Sequence, residues 1–182
     1  MTWQTNDSRV VYENPWISVR EDAVTGPAGD GIYGVVTLRN AAVFVVALDD
    51  EDRVCLITLD RYTVGRSVEV PAGGSDGEDP LIAAQRELLE ETGMRAEVWT
   101  QIGTMNALNG VTIAPEHVFL ARGLSVADQD PGHGAAHDDE GIEEVSWVPF
   151  SEALAMVADG RIADGETVAA LAYAGIHLGR FA

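Results

Sequence analysis

The segment that most restricts this chain is Glu78–Gly93, EDPLIAAQRELLEETG. Asp79 can cap a helix, and Pro80 suits its first position, where a missing N–H costs nothing. Leu81–Thr92 is dense in Ala, Leu, Glu, Gln and Arg, and Gly93 supplies a C-terminal stop. Glu87 lies three residues before Glu90 and four before Glu91, so the three carboxylates share one helix face. They repel one another, and they sit at the negative end of the helix dipole. A solvated acidic face, partly neutralised by Arg86 at i, i+4 from Glu90, is the plain reading of such a run. The same concentration of carboxylates suits hard divalent cations, which take oxygen ligands and bridge phosphates.

Around this helix the chain alternates strands and helices. Ile32–Leu38 and Ala41–Leu48 are valine-rich, the second almost wholly apolar, as in a strand buried on both faces. The charged turn Asp49–Asp52 leads into Arg53–Leu59 and predicts a hairpin. Ser67–Val70 reads as a short strand, followed by Pro71 and the Gly-rich loop Gly73–Gly77. Further strands are expected at Ala96–Thr100, His117–Ala121 and Val145–Val148, and further helices at Ser151–Asp159 and Thr167–Leu178. The stretch Ser125–Glu144, rich in Asp, Gly and His, is long for a connection and therefore a functional candidate. With 182 residues, no repeats and no linker, one domain is expected.

Composition excludes several chemistries. The chain has no lysine; all 11 basic residues are arginine against 30 acidic ones, giving net charge −19. A phosphate loop ending in Gly-Lys-Ser/Thr and a lysine Schiff base are therefore impossible. The charge balance argues against nucleic-acid partners, which need basic side chains to displace counterions. The single cysteine, Cys55, lies in an apolar run and reads as a core thiol; no disulfide can form. The N-terminus shows no signal-peptide pattern and no run is long enough to span a membrane, so a cytoplasmic protein is expected. Three motif matches carry little. Gly29–Gly34 fits G-x-G-x-x-G but precedes β-like residues and reads as a turn. Gly73–Gly77 fits G-x-S-x-G around Ser75, yet the helix cap comes four residues later. His133 and His137 are two potential ligands in a Pro/Gly-rich stretch, fewer than a zinc site needs.

Glu78, seven residues, then Arg86-Glu87-Leu88-Leu89-Glu90-Glu91-Thr92-Gly93-Met94 resembles the Nudix box, G-x5-E-x7-R-E-U-x-E-E-x-G-U with U aliphatic. Every specified position from Glu78 onward matches; Gly73 stands four residues before Glu78 rather than five, so the loop is one residue short or starts at Ala72. Glu69-Val70-Pro71-Ala72-Gly73 is similar to the E-x-P-A-G lead-in of the ADP-ribose and nucleoside-diphosphate-sugar pyrophosphatase branch. Asp60-Arg61-Tyr62, Gly160–Asp164 with Thr167, and Asn14-Pro15-Trp16 resemble further segments of that branch. Asn109 precedes Gly110 where its ADP-ribose enzymes often carry proline.

The resemblance implies an α/β fold, a Nudix-type α/β/α sandwich with a mixed β-sheet, spanning residues 1–182 as a single domain. N-terminal strands within about residues 1–40 would serve a homodimer. It implies Mg²⁺ (or Mn²⁺) held by Glu87 and Glu91, with Glu90 assisting and the Ala72 carbonyl completing the shell. Arg86 would orient the carboxylates. A late-loop glutamate would be the general base: Glu140 first, then Glu143 and Glu144. Arg61 and Glu69 would meet substrate phosphate and its surroundings, and Trp16 and Tyr33 would stack on a base. The expected substrate is a small nucleoside diphosphate linked to another moiety, first ADP-ribose, split to AMP and ribose 5-phosphate, then a nucleotide sugar. An isomerase acting on isopentenyl diphosphate would need a well-placed cysteine, which Cys55 is not. From another class, the domain would be a non-catalytic nucleotide- or protein-binding module.

Overall fold

Alternation along one strand organises the molecule. The computed structural model describes residues 2–127 and 141–181. In β4 (Ala42–Ala47) successive side chains point to opposite faces, and both faces are apolar. Val43, Val45 and Ala47 pack with Ala83, Ala84 and Leu88 of helix α1 (Pro80–Thr92). Phe44, Val46 and the following Leu48 pack instead with α2 (Phe150–Ala158) and α3 (Gly165–His177), against Phe150, Ala153, Ala170, Leu171 and Ala174. A strand with helices on both sides has no polar face, which is why its sequence does not alternate. The result is a mixed α/β fold with α1 on one side of the sheets and α2 and α3 on the other.

Eleven strands and three helices occur among the described residues. The first sheet has the order β1 (Gln4–Glu13), β2 (Ile17–Gly26), β3 (Gly29–Leu38), β9 (Thr112–Ile113). The second runs β7 (Ala72–Gly74), β4, β10 (Pro115–Val126), β8 (Met94–Asn106), with β4 and β10 parallel. The third is β11 (Ile142–Pro149), β5 (Arg53–Arg61), β6 (Gly65–Glu69). No helix among the described residues is long and apolar enough to cross a membrane, a statement that leaves β-barrels aside.

Two expectations are corrected. The turn at Asp49–Asp52 forms, with Asp49 accepting hydrogen bonds from the backbone of Glu51 and Arg53. It does not close a hairpin, however. After the single bridge Leu48–Val54 the strands diverge, β4 pairing with β7 and β10 and β5 with β6 and β11. Gly29–Gly34 is not a turn but the first half of β3; the turn lies between Gly26 and Gly29, closing the β2–β3 hairpin. The described strands near the C-terminal half are also longer than their apolar runs, because β8 and β10 pair from Met94–Val126 to Asn106–Pro115.

The helix ends are as the sequence predicts. The Asp79 side chain accepts from the Leu81 N–H at 2.9 Å, and Gly93 takes the left-handed conformation (φ 68°) while its N–H bonds to the Leu89 carbonyl. At the other helix pair, Asp164 caps α3 through the Thr167 N–H at 2.7 Å. The fully buried Thr167 hydroxyl accepts from the Val70 N–H at 3.1 Å, pinning α3 to the strand that leads into Pro71 and Ala72.

Candidate active site

The E-x-P-A-G lead-in and α1 meet face to face. Glu91, 2% exposed, accepts the Ala72 N–H at 2.8 Å, so the helix is clamped to β7 by a carboxylate rather than by apolar packing. Glu87, 5% exposed, lies directly against the backbone of Gly73: a Cβ there would stand 2.2 Å from its carboxyl carbon. Only glycine lets the carboxylate come this close. Arg86 gathers the rest. Its Nε donates to Glu78 at 3.1 Å, Nη1 to Glu87 at 2.7 Å and to Glu90 at 3.0 Å, and Nη2 to the Gly74 carbonyl at 2.8 Å. Burial alone would lower the Arg86 pKa, but Glu78, Glu87 and Glu90 together hold it well above the usual arginine value. The charge cluster that looked self-repelling in sequence is thus built around one guanidinium.

Arg61 closes the other side. Its Nε and Nη2 make a two-pronged pair with Glu69, at 3.1 and 2.6 Å, and Glu69 is buried. That pair, outweighing burial, and the fields of Glu91 and Asp164 raise the Arg61 pKa. Arg61 lines two cavities at once. One, of 350 Å³, is bounded by Ala72, Gly73, Arg86, Glu87 and Glu91. The other, of 610 Å³, extends past Glu69 to Glu116 and the start of α3 at Asp164–Glu166.

The acidic set offers oxygen donors only, which in kind fits a hard divalent cation, and the Gly73 cradle brings backbone and carboxylate to one point. Among the described residues no three acidic, His or Cys side chains already converge as a metal cluster; Arg86 is the standing counter-charge.

The structure therefore brings Ala72, Arg86, Glu87, Glu90, Glu91, Arg61 and Glu69 together. Glu143 and Glu144 stand elsewhere: Glu143 pairs with Arg66 at 3.2 Å, and Glu144 lines a separate cavity with Arg66, Ser146 and Arg161. Glu140, His133 and His137 lie outside the described residues. Trp16, 72% exposed and just before β2, and Tyr33, on β3, line none of these cavities. Tyr33 packs edge-on against Trp3 and donates to the Gly110 carbonyl. Ser75 is buried, its backbone bonded to Ala41 and Glu78. Cys55 is fully buried, and burial, then Glu91, push its thiol up to about 12, as befits an inert core residue. Sequence reasoning missed Asp76, which lies 3.9 Å from Arg86, and Glu116. The only signal for Glu116 was an isolated acid opening the apolar run His117–Ala121.

Residues 38–171 match the NUDIX domain family, and residues 3–36 match a nucleoside diphosphate sugar hydrolase N-terminal domain. The chain is 32% identical to an ADP-ribose pyrophosphatase of Mycobacterium tuberculosis, over 96% of this chain and 81% of that one. It is 31% identical to an ADP-ribose pyrophosphatase of Bacillus subtilis, over 90% and 87%. A solved structure described as an ADP compounds hydrolase superposes with TM-score 0.80 at 20% identity, covering 98% of this chain and 95% of that one, a likeness of fold. The box on α1, the Arg86-centred carboxylates and these matches agree: the chain belongs to the Nudix family and is a pyrophosphohydrolase of its ADP-ribose and nucleoside-diphosphate-sugar type.

Proposed function

We propose that the chain hydrolyses ADP-ribose to AMP and ribose 5-phosphate, with Mg²⁺ (or Mn²⁺) held by Glu87 and Glu91, Glu90 assisting and the Ala72 carbonyl completing the shell. The observation that carries this is that Arg61 lines both the Glu87/Glu91 cavity and the 610 Å³ cavity. One space can take the diphosphate and the other a second moiety. When bound, the cation polarises the phosphoryl oxygens and lowers the pKa of the attacking water. Arg61, held rigid by Glu69, clamps a non-bridging oxygen. Arg86 keeps Glu87 and Glu90 oriented. A glutamate takes the water proton, and water adds across the P–O–P bond to give the two monophosphates. Glu140 is our choice of base: it stands two residues before Ile142, which pairs with Leu59, and Leu59 lines the cation cavity.

A nucleotide sugar is the second reading, favoured by the match of residues 3–36 to the sugar-hydrolase N-terminal domain. A non-catalytic binding module is the third, and the same assay decides among them. With Mg²⁺, wild-type protein turns over ADP-ribose faster than GDP-mannose or other nucleotide sugars; the reverse order selects the second reading and no turnover of any selects the third. Glu91→Gln lowers turnover about 10²- to 10³-fold while the protein stays folded. Unchanged turnover sinks the cation site.

Residues 1–182 act on this reading as one cytoplasmic domain that works as a homodimer. Trp3, Val10, Tyr12, Trp16 and Ile32 leave apolar surface exposed across β1–β3, which a second copy would cover. Sedimentation of wild type as a monomer at micromolar concentration would remove the dimer from the proposal.

A further inference from the structure

Glu116 is the second residue of β10, where it pairs with Met105 and Ala42, and it borders the 610 Å³ cavity. It is 5% exposed. Among the described residues no hydrogen bond or ion pair reaches it. Its charged neighbours are Asp164 and Glu166, both acidic, at the start of α3. A buried carboxyl without a partner lowers stability, and folded proteins rarely keep one without a use for it. The lining of the cavity carries both signs of charge: Arg61, which also faces the Glu87/Glu91 cavity, Arg66 and Arg161 stand with Glu69, Glu116, Asp164 and Glu166. Phosphate suits the arginines. Glu116, whose charged neighbours are Asp164 and Glu166, offers only acceptors, or, for a protonated carboxyl, acceptors and one donor, and it repels phosphate.

We infer that Glu116 is a specificity-determining residue, binding hydroxyl groups of the sugar phosphate that the diphosphate links to the nucleoside. This rests on the hydrolase reading above and adds to it which half of the substrate enters the larger cavity and by what chemistry. A polyol is the favoured occupant because its O–H groups supply the donors that Glu116, Asp164 and Glu166 lack. A volume of 610 Å³ lies within the ordinary range of small-molecule pockets.

The test compares Glu116→Gln and Glu116→Ala with wild type in titration calorimetry against ribose 5-phosphate, inorganic phosphate and AMP. Affinity for ribose 5-phosphate falls about tenfold in Glu116→Gln and further in Glu116→Ala, while phosphate and AMP stay within about twofold. In turnover of ADP-ribose the loss appears in KM more than in kcat. Both variants fold, with thermal midpoints at or above that of wild type, because the change removes an unpaired buried charge. The inference is overturned if wild type binds no ribose 5-phosphate, if all three ligands weaken together, or if both variants unfold, which would make Glu116 a structural residue. It is overturned equally if Mg²⁺ or Mn²⁺ binding, measured without nucleotide, is what Glu116→Gln abolishes. Failure of the hydrolase reading looks different: wild type then turns over no nucleoside diphosphate, whatever stands at position 116.

Discussion

Two groups of buried carboxylates face the same stretch of molecule and are treated in opposite ways. On α1, Glu87 and Glu91 are 5% and 2% exposed, and each has a fixed positive or N–H partner: Arg86 for the first, the Ala72 N–H for the second. Across Arg61, Glu116 is equally buried and meets only Asp164 and Glu166. Burial first, then those two acids, push its carboxyl up to about 7. Buried acid is tolerated in both places, but by different means. The α1 cluster sets its carboxylates against a guanidinium and a backbone N–H. Glu116, with burial and two acids around it, is biased toward its protonated form, which suits a neutral polar ligand.

Removing Arg86 makes the first group like the second, and should have the largest effect. Arg86→Ala leaves Glu78, Glu87 and Glu90 facing one another without their shared guanidinium. Urea unfolding should show a loss of about 3 kcal/mol, toward the lower end for breaking a buried pair because Arg86 is itself partly solvated. Turnover should fall with it. A loss below about 0.5 kcal/mol would mean that the α1 carboxylates, like Glu116, do not depend on a counter-charge.

Next comes the cradle. Gly73→Ala would put a methyl group 2.2 Å from the Glu87 carboxyl carbon, so the carboxylate must move. The expected cost is about 2 kcal/mol in stability, with turnover reduced at least about tenfold. Normal activity would show that Glu87 can serve from another rotamer. Thr167→Val tests the joint between the two regions, since its hydroxyl ties α3, the bearer of Asp164 and Glu166, to Val70 just before Ala72. Losing that buried acceptor should cost about 1–2 kcal/mol by urea unfolding, and a neutral result would show that the two regions are anchored independently.

Where the chain was legible, the cause was local. The α1 helix, its caps and the shared face of Glu87, Glu90 and Glu91 follow from spacing and cap residues within one segment. The two-sided burial of β4 follows from a run without polar positions. What sequence could not supply was pairing at a distance. Nothing in Asp49–Asp52 says that β4 and β5 join different sheets, because the competing partners β7, β10, β6 and β11 lie up to about a hundred residues away. β1 and the body of β2 escaped for another reason: β1 is exposed along its whole length, so no apolar alternation marks it. Glu116 escaped because a single acid at a strand end has no pattern; its meaning comes from α3, which packs beside it from fifty residues further on.

The smallest expected effect has the opposite sign and separates the two regions by pH. The Glu116 carboxyl is raised in the folded protein to about 7, from an ordinary value of 4.5, so the folded state binds this proton more tightly than the unfolded chain. Below about pH 4.5 both states are protonated and Glu116 exacts no penalty. As pH climbs from 4.5 through 7 the unfolded chain releases the proton first, and stability is lost; above 7 the penalty is complete. Glu116→Gln cannot ionise. Its stability should therefore equal that of wild type near pH 4.5 and exceed it by about 1 kcal/mol at pH 8, well under the ~3 kcal/mol of the full displacement because the cavity admits water. Arg86→Ala should show no such gain at any pH, since it removes a counter-charge rather than an unpaired acid. Urea unfolding of both variants at pH 5 and pH 8 measures the difference, and a Glu116→Gln variant less stable than wild type at pH 8 would mean that the Glu116 carboxylate is held by a partner after all.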